Sequence, residues 1–269
     1  MCRPLLRGQL TRLSSDSKRR QRAERQELKI GRCAYCGENQ ELTREHLLTT
    51  GLRGDPASNV SIFPPMGRHR FGQQVVLKDV CKQCNNERLG SLDEFALNWT
   101  RTPPQEPHPD GGGRLLRWCA KWAYNSKRAP ATDKVDPRPL PPALPRWIIG
   151  VAPENPGFRA IVAWMHPERD VGISYGEAAD DPLLEAALVI HEWLFVLAWE
   201  HPNREVSLDA RIRSLAERFP GRELREGSAI DARYIPRIRE ADWPYRGLLK
   251  SLLEDMQEAA RRSAKRSKG

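Results

Sequence analysis

Cys33-Ala34-Tyr35-Cys36 and Cys81-Lys82-Gln83-Cys84 repeat one spacing, with 44 residues between the two pairs. Two thiolates separated by two residues grip one side of a metal ion, and two such pairs complete a tetrahedron of sulfur around zinc. That closed sphere leaves no position for a substrate, so the zinc expected at Cys33, Cys36, Cys81 and Cys84 is structural. The stretch Met1–Leu10 is basic and lacks the apolar core and small-residue cleavage site of a secretory leader, which points to the cytoplasm. In a reducing compartment paired cysteines favour metal over disulfides. Cys2 and Cys119 stand outside the pairs, and burial or plain exposure accounts for them. The interval between the pairs is longer than a compact zinc ribbon needs, so a folded element with its own chemistry is expected there.

That interval opens with Glu41-Leu42-Thr43-Arg44-Glu45-His46 and continues through Ser58-Asn59-Val60, while Asn85-Asn86-Glu87-Arg88 follows the second pair directly. An acid-histidine step, an interior asparagine and a Cys-x-x-Cys-Asn ending, in this order, resemble the HNH endonuclease family. The resemblance spans residues 31–102 and says nothing of 115–269. It implies an α+β fold class: a ββα-metal nuclease module with the zinc at its base. It also implies His46 as catalytic base, Glu45 and Asn85 as protein ligands of a catalytic Mg²⁺ or Mn²⁺, and Asn59 as the residue that holds the loop and orients His46. The pattern departs from the family in having Thr49 where a proline is usual and Asn85 where a histidine is common. A further constraint is geometric: neighbours in a regular strand point to opposite faces, so Glu45 and His46 serve one site only if the strand is distorted or ends there.

Taken on their own chemistry, these residues suit phosphodiester hydrolysis. A neutral imidazole, with a reference pKa of about 6.5, accepts a proton from water near neutral pH. A hard divalent cation on oxygen ligands stabilises a scissile phosphate and its leaving oxygen. Arg88 lies one helical turn from Asn85 and is expected to meet phosphate. Arg68 and Arg70 flank His69 in the insert Phe63–Val80, a candidate nucleic-acid-contacting loop. Asn85 and Asn86 also have a plainer use, as helix caps.

Charge adds a second line of argument. The chain carries a formal +9. Residues 1–30 hold nine Lys/Arg, including Lys18, Arg19 and Arg20, against three acids, and residues 250–269 hold six against three, so the excess sits at the two ends. Basic arms around a neutral body suit sequence-independent phosphate contact, although such runs also serve as solvated tails. The expected partner is nucleic acid, with double-stranded DNA favoured. The leading function is a metal-dependent endonuclease; the alternative is a non-catalytic, zinc-stabilised nucleic-acid-binding protein.

Punctuation by Pro and Gly suggests five parts: a basic helical arm (1–30), the nuclease module (31–102), a linker (103–146) with one short helix at 114–128, an α+β domain (147–250) and a basic tail (251–269). The region after the module is expected to be mainly helical with a small β-sheet or hairpin, and able to support a homo-oligomer. Short strands are expected at 146–151 and 158–165, and amphipathic helices at 207–218 and 245–262. The most apolar stretch, 182–200, reads as a buried helix; Glu185, His191 and Glu192 within it exclude a membrane span. The later tryptophans, Trp147, Trp164, Trp193, Trp199 and Trp243, are expected in the core.

Overall fold

The computed structural model describes residues 30–46, 61–63, 69–70, 76–102, 106–128, 139–166, 173–177, 183–202 and 204–239. It is a mixed α+β structure with two sheets and four α-helices among the described residues. Asn59, Arg68, Lys18, Arg19, Arg20, Trp243, the two basic ends and the helix expected at 245–262 all lie outside these residues.

The smaller sheet is antiparallel and ordered β1 (Ile30–Arg32), β2 (Asn39–His46), β5 (Val76–Cys81). Between the last two, the chain lays down β3 (Ser61–Phe63) and β4 (His69–Arg70). After β5 a π-helical stretch, Cys84–Leu89, runs into α1 (Gly90–Arg101). The helices α2 (Gly111–Lys127) and α3 (Leu144–Ile148) follow. The chain then forms β6 (Phe158–His166), β7 (Ile173–Glu177), β8 (Ala186–Ile190), β9 (Trp193–Trp199), α4 (Leu208–Arg218), β10 (Arg222–Leu224) and β11 (Arg237–Arg239). The larger sheet has eight strands in the order β10-β6-β9-β8-β7-β3-β4, with β11 running parallel to β6 beside β10.

This second sheet corrects the expectation of a mainly helical region. Residues 182–200 are not a helix: β8 and β9 form a hairpin whose turn is His191-Glu192, with Ile190 opposite Trp193. His191 takes a left-handed φ of 51° to close it. Periodicity fails here because both faces of the sheet are covered, so every residue of both strands is buried and the run reads as uniformly apolar. The alternation survives in the packing. Leu188, Ile190, Trp193, Phe195, Leu197 and Trp199 join the core beneath α1, α2 and α3. Val189, Leu194, Val196 and Ala198 face the opposite way, with Leu208, Ile212 and Leu215 of α4. The strand expected at 146–151 is instead α3, entered through Pro145 in its first turn, where a proline's missing N–H costs nothing. The strand at 158–165 and the helix at 207–218 form as expected, the latter capped by Ser207, whose Oγ accepts from Ala210 N at 3.4 Å.

The linker reading is also corrected in part. Gly111, Gly112 and Gly113 begin α2 instead of interrupting the chain, and all three are buried. A β-carbon at Gly112 would collide with Ser228 and come within 2.8 Å of the Arg225 carbonyl, so the glycines permit close approach of the 225–228 turn. α2 is thereby the central helix of the molecule. Its Trp118 meets Phe195 of the large sheet edge-on at 6.0 Å. Its other end grips the first cysteine pair, with Tyr124 Oη donating to the Ala34 carbonyl and Tyr35 Oη donating to Asn125 Oδ1, each at 2.7 Å.

Under the large sheet lies a buried ionic cluster. Glu185, without solvent exposure, accepts from Arg211 Nη1 at 2.7 Å and Arg204 Nε at 3.0 Å, and lies 3.2 Å from His201 Nε2. Burial works to raise the Glu185 carboxyl, yet the Arg204 hydrogen bonds and the surrounding charges bring it below its ordinary range. Burial holds His201 below its usual value, in the neutral form. Arg211 also donates to the Trp199 carbonyl at 2.7 Å, tying α4 to β9. Arg211→Met strips a charge partner from a buried carboxylate and is expected to lower unfolding free energy by roughly 3–5 kcal/mol, measured by urea denaturation.

Candidate metal centre and adjoining site

The first cysteine pair sits on the turn between β1 and β2. Gly37 adopts a φ of 80°, which admits glycine without strain, and donates to the Cys33 carbonyl at 2.9 Å, folding the knuckle back on itself. The second pair spans the end of β5 and the start of the π-helical stretch. Because β2 and β5 are paired, the two knuckles meet at one end of the small sheet. The four sulfurs lie within 4.8 Å of one another, and Cys36 Sγ stands 3.9 Å from Cys81 Sγ. A zinc tetrahedron with Zn–S bonds of about 2.3 Å has edges of about 3.8 Å, so modest contraction brings the set to bonding geometry.

Backbone N–H groups already point at these sulfurs. Tyr35 N and Cys81 N donate to Cys33 Sγ at 3.4 and 3.3 Å, and Cys84 N approaches Cys81 Sγ at 3.5 Å. Burial works to raise the Cys33 thiol, but hydrogen bonds from the backbone of Cys81, Cys36 and Tyr35 and from the Cys36 side chain outweigh it and hold the group at about 7, against an ordinary 9.0. Three of the four cysteines are buried. The cluster can hold a metal such as zinc, and it is the sole grouping of three or more His, Cys, Asp and Glu among the described residues that can. Cys119 stays apart, buried within α2, where burial pushes its thiol well above the ordinary value.

Beyond the knuckles, β2 carries the acid-histidine step to its end. The strand is distorted there: Thr43 pairs with Val80 but Glu45 with Leu77, so β5 fits an extra residue opposite Arg44. His46 is the last residue of β2, its Cα opposite that of Val76. Asn85, 41 residues beyond Arg44, returns to the same strand, where its Nδ2 donates to Thr43 Oγ1 and to the Arg44 carbonyl, both at 3.0 Å. The Asn85 side chain thus reaches β2 at Thr43 and Arg44, the two residues that precede Glu45 and His46. Asn85 is not the helix cap allowed by its residue type; its amide fastens the helix start to β2, and Oδ1 remains as acceptor.

Glu45 faces inward. It is 4% exposed, and its Oε1 lies 2.7 Å from Lys121 Nζ of α2. Lys121 is itself buried and also reaches Asp93 Oδ2 of α1 at 2.5 Å, while Trp118 Nε1 donates to Asp93 Oδ1 at 3.2 Å. Burial pushes Asp93 up to about 6 despite the ammonium beside it. The same burial works against the Lys121 charge, but Asp93 and Glu45 outweigh it, so the ammonium is retained. No sequence pattern announced Lys121 or Asp93. The signal available was a lysine and an aspartate at otherwise apolar helical positions, which is a mark of buried pairing.

Arg88 turns toward the Ile149 carbonyl, with Nη1 at 3.5 Å, and is half-buried. Arg70 lies in β4, its Cα opposite Ser61, on the outermost strand of the large sheet. Comparison with protein-family models, with curated proteins and with solved structures finds no match. No helix among the described residues is long and apolar enough to cross a membrane.

Proposed function

We propose that the chain is a zinc-stapled, HNH-type endonuclease that hydrolyses phosphodiester bonds in nucleic acid, with double-stranded DNA the favoured substrate. The observation that carries this reading is the Asn85 amide bonded to the Arg44 carbonyl, one residue from Glu45 and two from His46. It links two motif parts far apart in sequence, the strand that ends at His46 and the helical stretch that starts at the four-cysteine cluster.

In this reading His46 is the base. Its imidazole takes the proton of a water molecule as the oxygen attacks phosphorus, and the leaving oxygen departs opposite. Asn59 orients His46, and Arg68, Arg70 and the basic arm with Lys18, Arg19 and Arg20 hold the phosphate backbone, releasing counterions as they do so. Arg88 joins them by leaving the Ile149 carbonyl. The divalent cation implied by the family resemblance, Mg²⁺ or Mn²⁺, would supply charge neutralisation at the phosphate. Asn85 Oδ1 would serve it as a protein ligand, while Lys121 competes for Glu45 through Oε1. Glu45 serves here as a partner of Lys121 and not as a group that touches the phosphate.

The commitment of Glu45 to Lys121 is also what favours a second reading, a zinc-stabilised nucleic-acid-binding protein without catalysis. Supercoiled plasmid separates the two. Full-length protein stripped of loosely bound metal and then given Mg²⁺ or Mn²⁺ is expected to convert plasmid to nicked and linear forms. Retardation of plasmid at low salt with no cutting under either metal would reject the nuclease and leave the binding protein.

A further inference from the structure

We propose that Glu45 is an internal anchor, not a metal ligand, and that Lys121 with Asp93 are positioning residues that fix the end of β2 where His46 stands. The proposal rests on the nuclease reading for its purpose but on the buried triad for its substance. Glu45 and Lys121 are 4% and 2% exposed, and Lys121 lies within 2.7 Å of Glu45 and 2.5 Å of Asp93. Two carboxylates facing one cation form the arrangement a metal ion would demand, and here the lysine ammonium fills it. Glu45 Oε1 is buried and makes no well-directed hydrogen bond among the described residues, so the Lys121 ammonium holds it by charge at 2.7 Å.

Drawing Glu45 Oε1 from Lys121 to an external cation would leave a buried ammonium short of one partner, which is unfavourable. The anchor also answers the distortion of β2. Opposite Arg44 the ladder slips by one residue, which weakens backbone pairing just before His46. The ion pair to α2 and the Asn85 amide from the helix start clamp the strand on both sides of the slip. α2 is a rigid reference for this purpose, since its Trp118, Cys119, Ala120, Trp122 and Ala123 are all core residues.

The test uses full-length protein and Glu45→Gln, Lys121→Met and the double variant. Backbone amide exchange at residues 43–45 reads the anchor, and Mn²⁺ titration followed by electron paramagnetic resonance reads ligation. The anchor predicts at least tenfold faster exchange in Glu45→Gln with Mn²⁺ affinity within twofold of the parent. It also predicts strong non-additivity, the double variant exchanging no faster than Lys121→Met, because removing the second charge relieves the first. In plasmid cleavage, kcat should fall while the half-saturating metal concentration stays put. Unchanged exchange in Glu45→Gln, additive effects, or a tenfold loss of its Mn²⁺ affinity would each overturn the proposal. Should the wild-type protein neither bind Mn²⁺ nor cut plasmid, the nuclease reading falls, while exchange in Glu45→Gln, which needs no catalysis, still decides the anchor.

Discussion

His46→Ala is expected to reduce plasmid nicking by about 10²–10⁴-fold, the range typical of losing a general base, with zinc content and thermal stability unchanged. That factor corresponds to roughly 3–5 kcal/mol of transition-state stabilisation. The stability arm matters because His46 ends β2, beside the buried anchor at Glu45, and a loss of folding would mimic a loss of chemistry. A histidine base also sets the pH profile: cutting should rise with pH as the base loses its proton, and this limb should vanish in the variant. Wild-type cutting by His46→Ala would remove the mechanism without bearing on the four-cysteine cluster.

The second large effect concerns zinc. Metal analysis is expected to find about one zinc per chain, and Cys33→Ser is expected to unfold the protein. Binding of structural zinc by four cysteines contributes roughly 10–16 kcal/mol, as much as or more than the net stability of about 5–15 kcal/mol of a typical domain. The loss should not stay local. Tyr35, inside the first knuckle, is bonded to Asn125 of α2, and Tyr124 of α2 holds the Ala34 carbonyl. The cysteines and the α2 tryptophans belong to one continuous core that extends to Trp199 of β9. Circular dichroism during chelation should therefore show helix and sheet melting together. A folded, zinc-free protein, or a melt confined to the knuckles, would contradict this account.

The cysteine cluster was legible because metal chemistry leaves a spacing that survives any fold: four thiols, two by two, within reach of one ion. The strand ending at His46 and the helix after Cys84 were expected from the family resemblance, and both elements are present. The hairpin of β8 and β9 was not. Its strands are covered on both faces, which erases the alternation that distinguishes strand from helix, and the only punctuation at the turn is His191-Glu192, which lacks the usual Gly or Asn. Gly111–Gly113 misled in the opposite sense. Glycine marks flexibility in an open chain, but here it marks tight packing against the 225–228 turn. Which way Glu45 faces was illegible, since its partner Lys121 lies on α2, in a segment that read as a linker helix.

One feature of the topology bears on how the molecule can be taken apart. The chain leaves His46, contributes β3 to the large sheet between β7 and β4, and only then returns to build β5 and complete the cysteine cluster. The two sheets are consequently not beads on a string but are stitched through one another. No single cut in the backbone releases either as an independent piece. A fragment ending near residue 102 would carry β3 without the β7 neighbour it pairs with, and a fragment beginning near residue 147 would lack two strands of its own sheet. Neither half therefore carries all the strands of the large sheet.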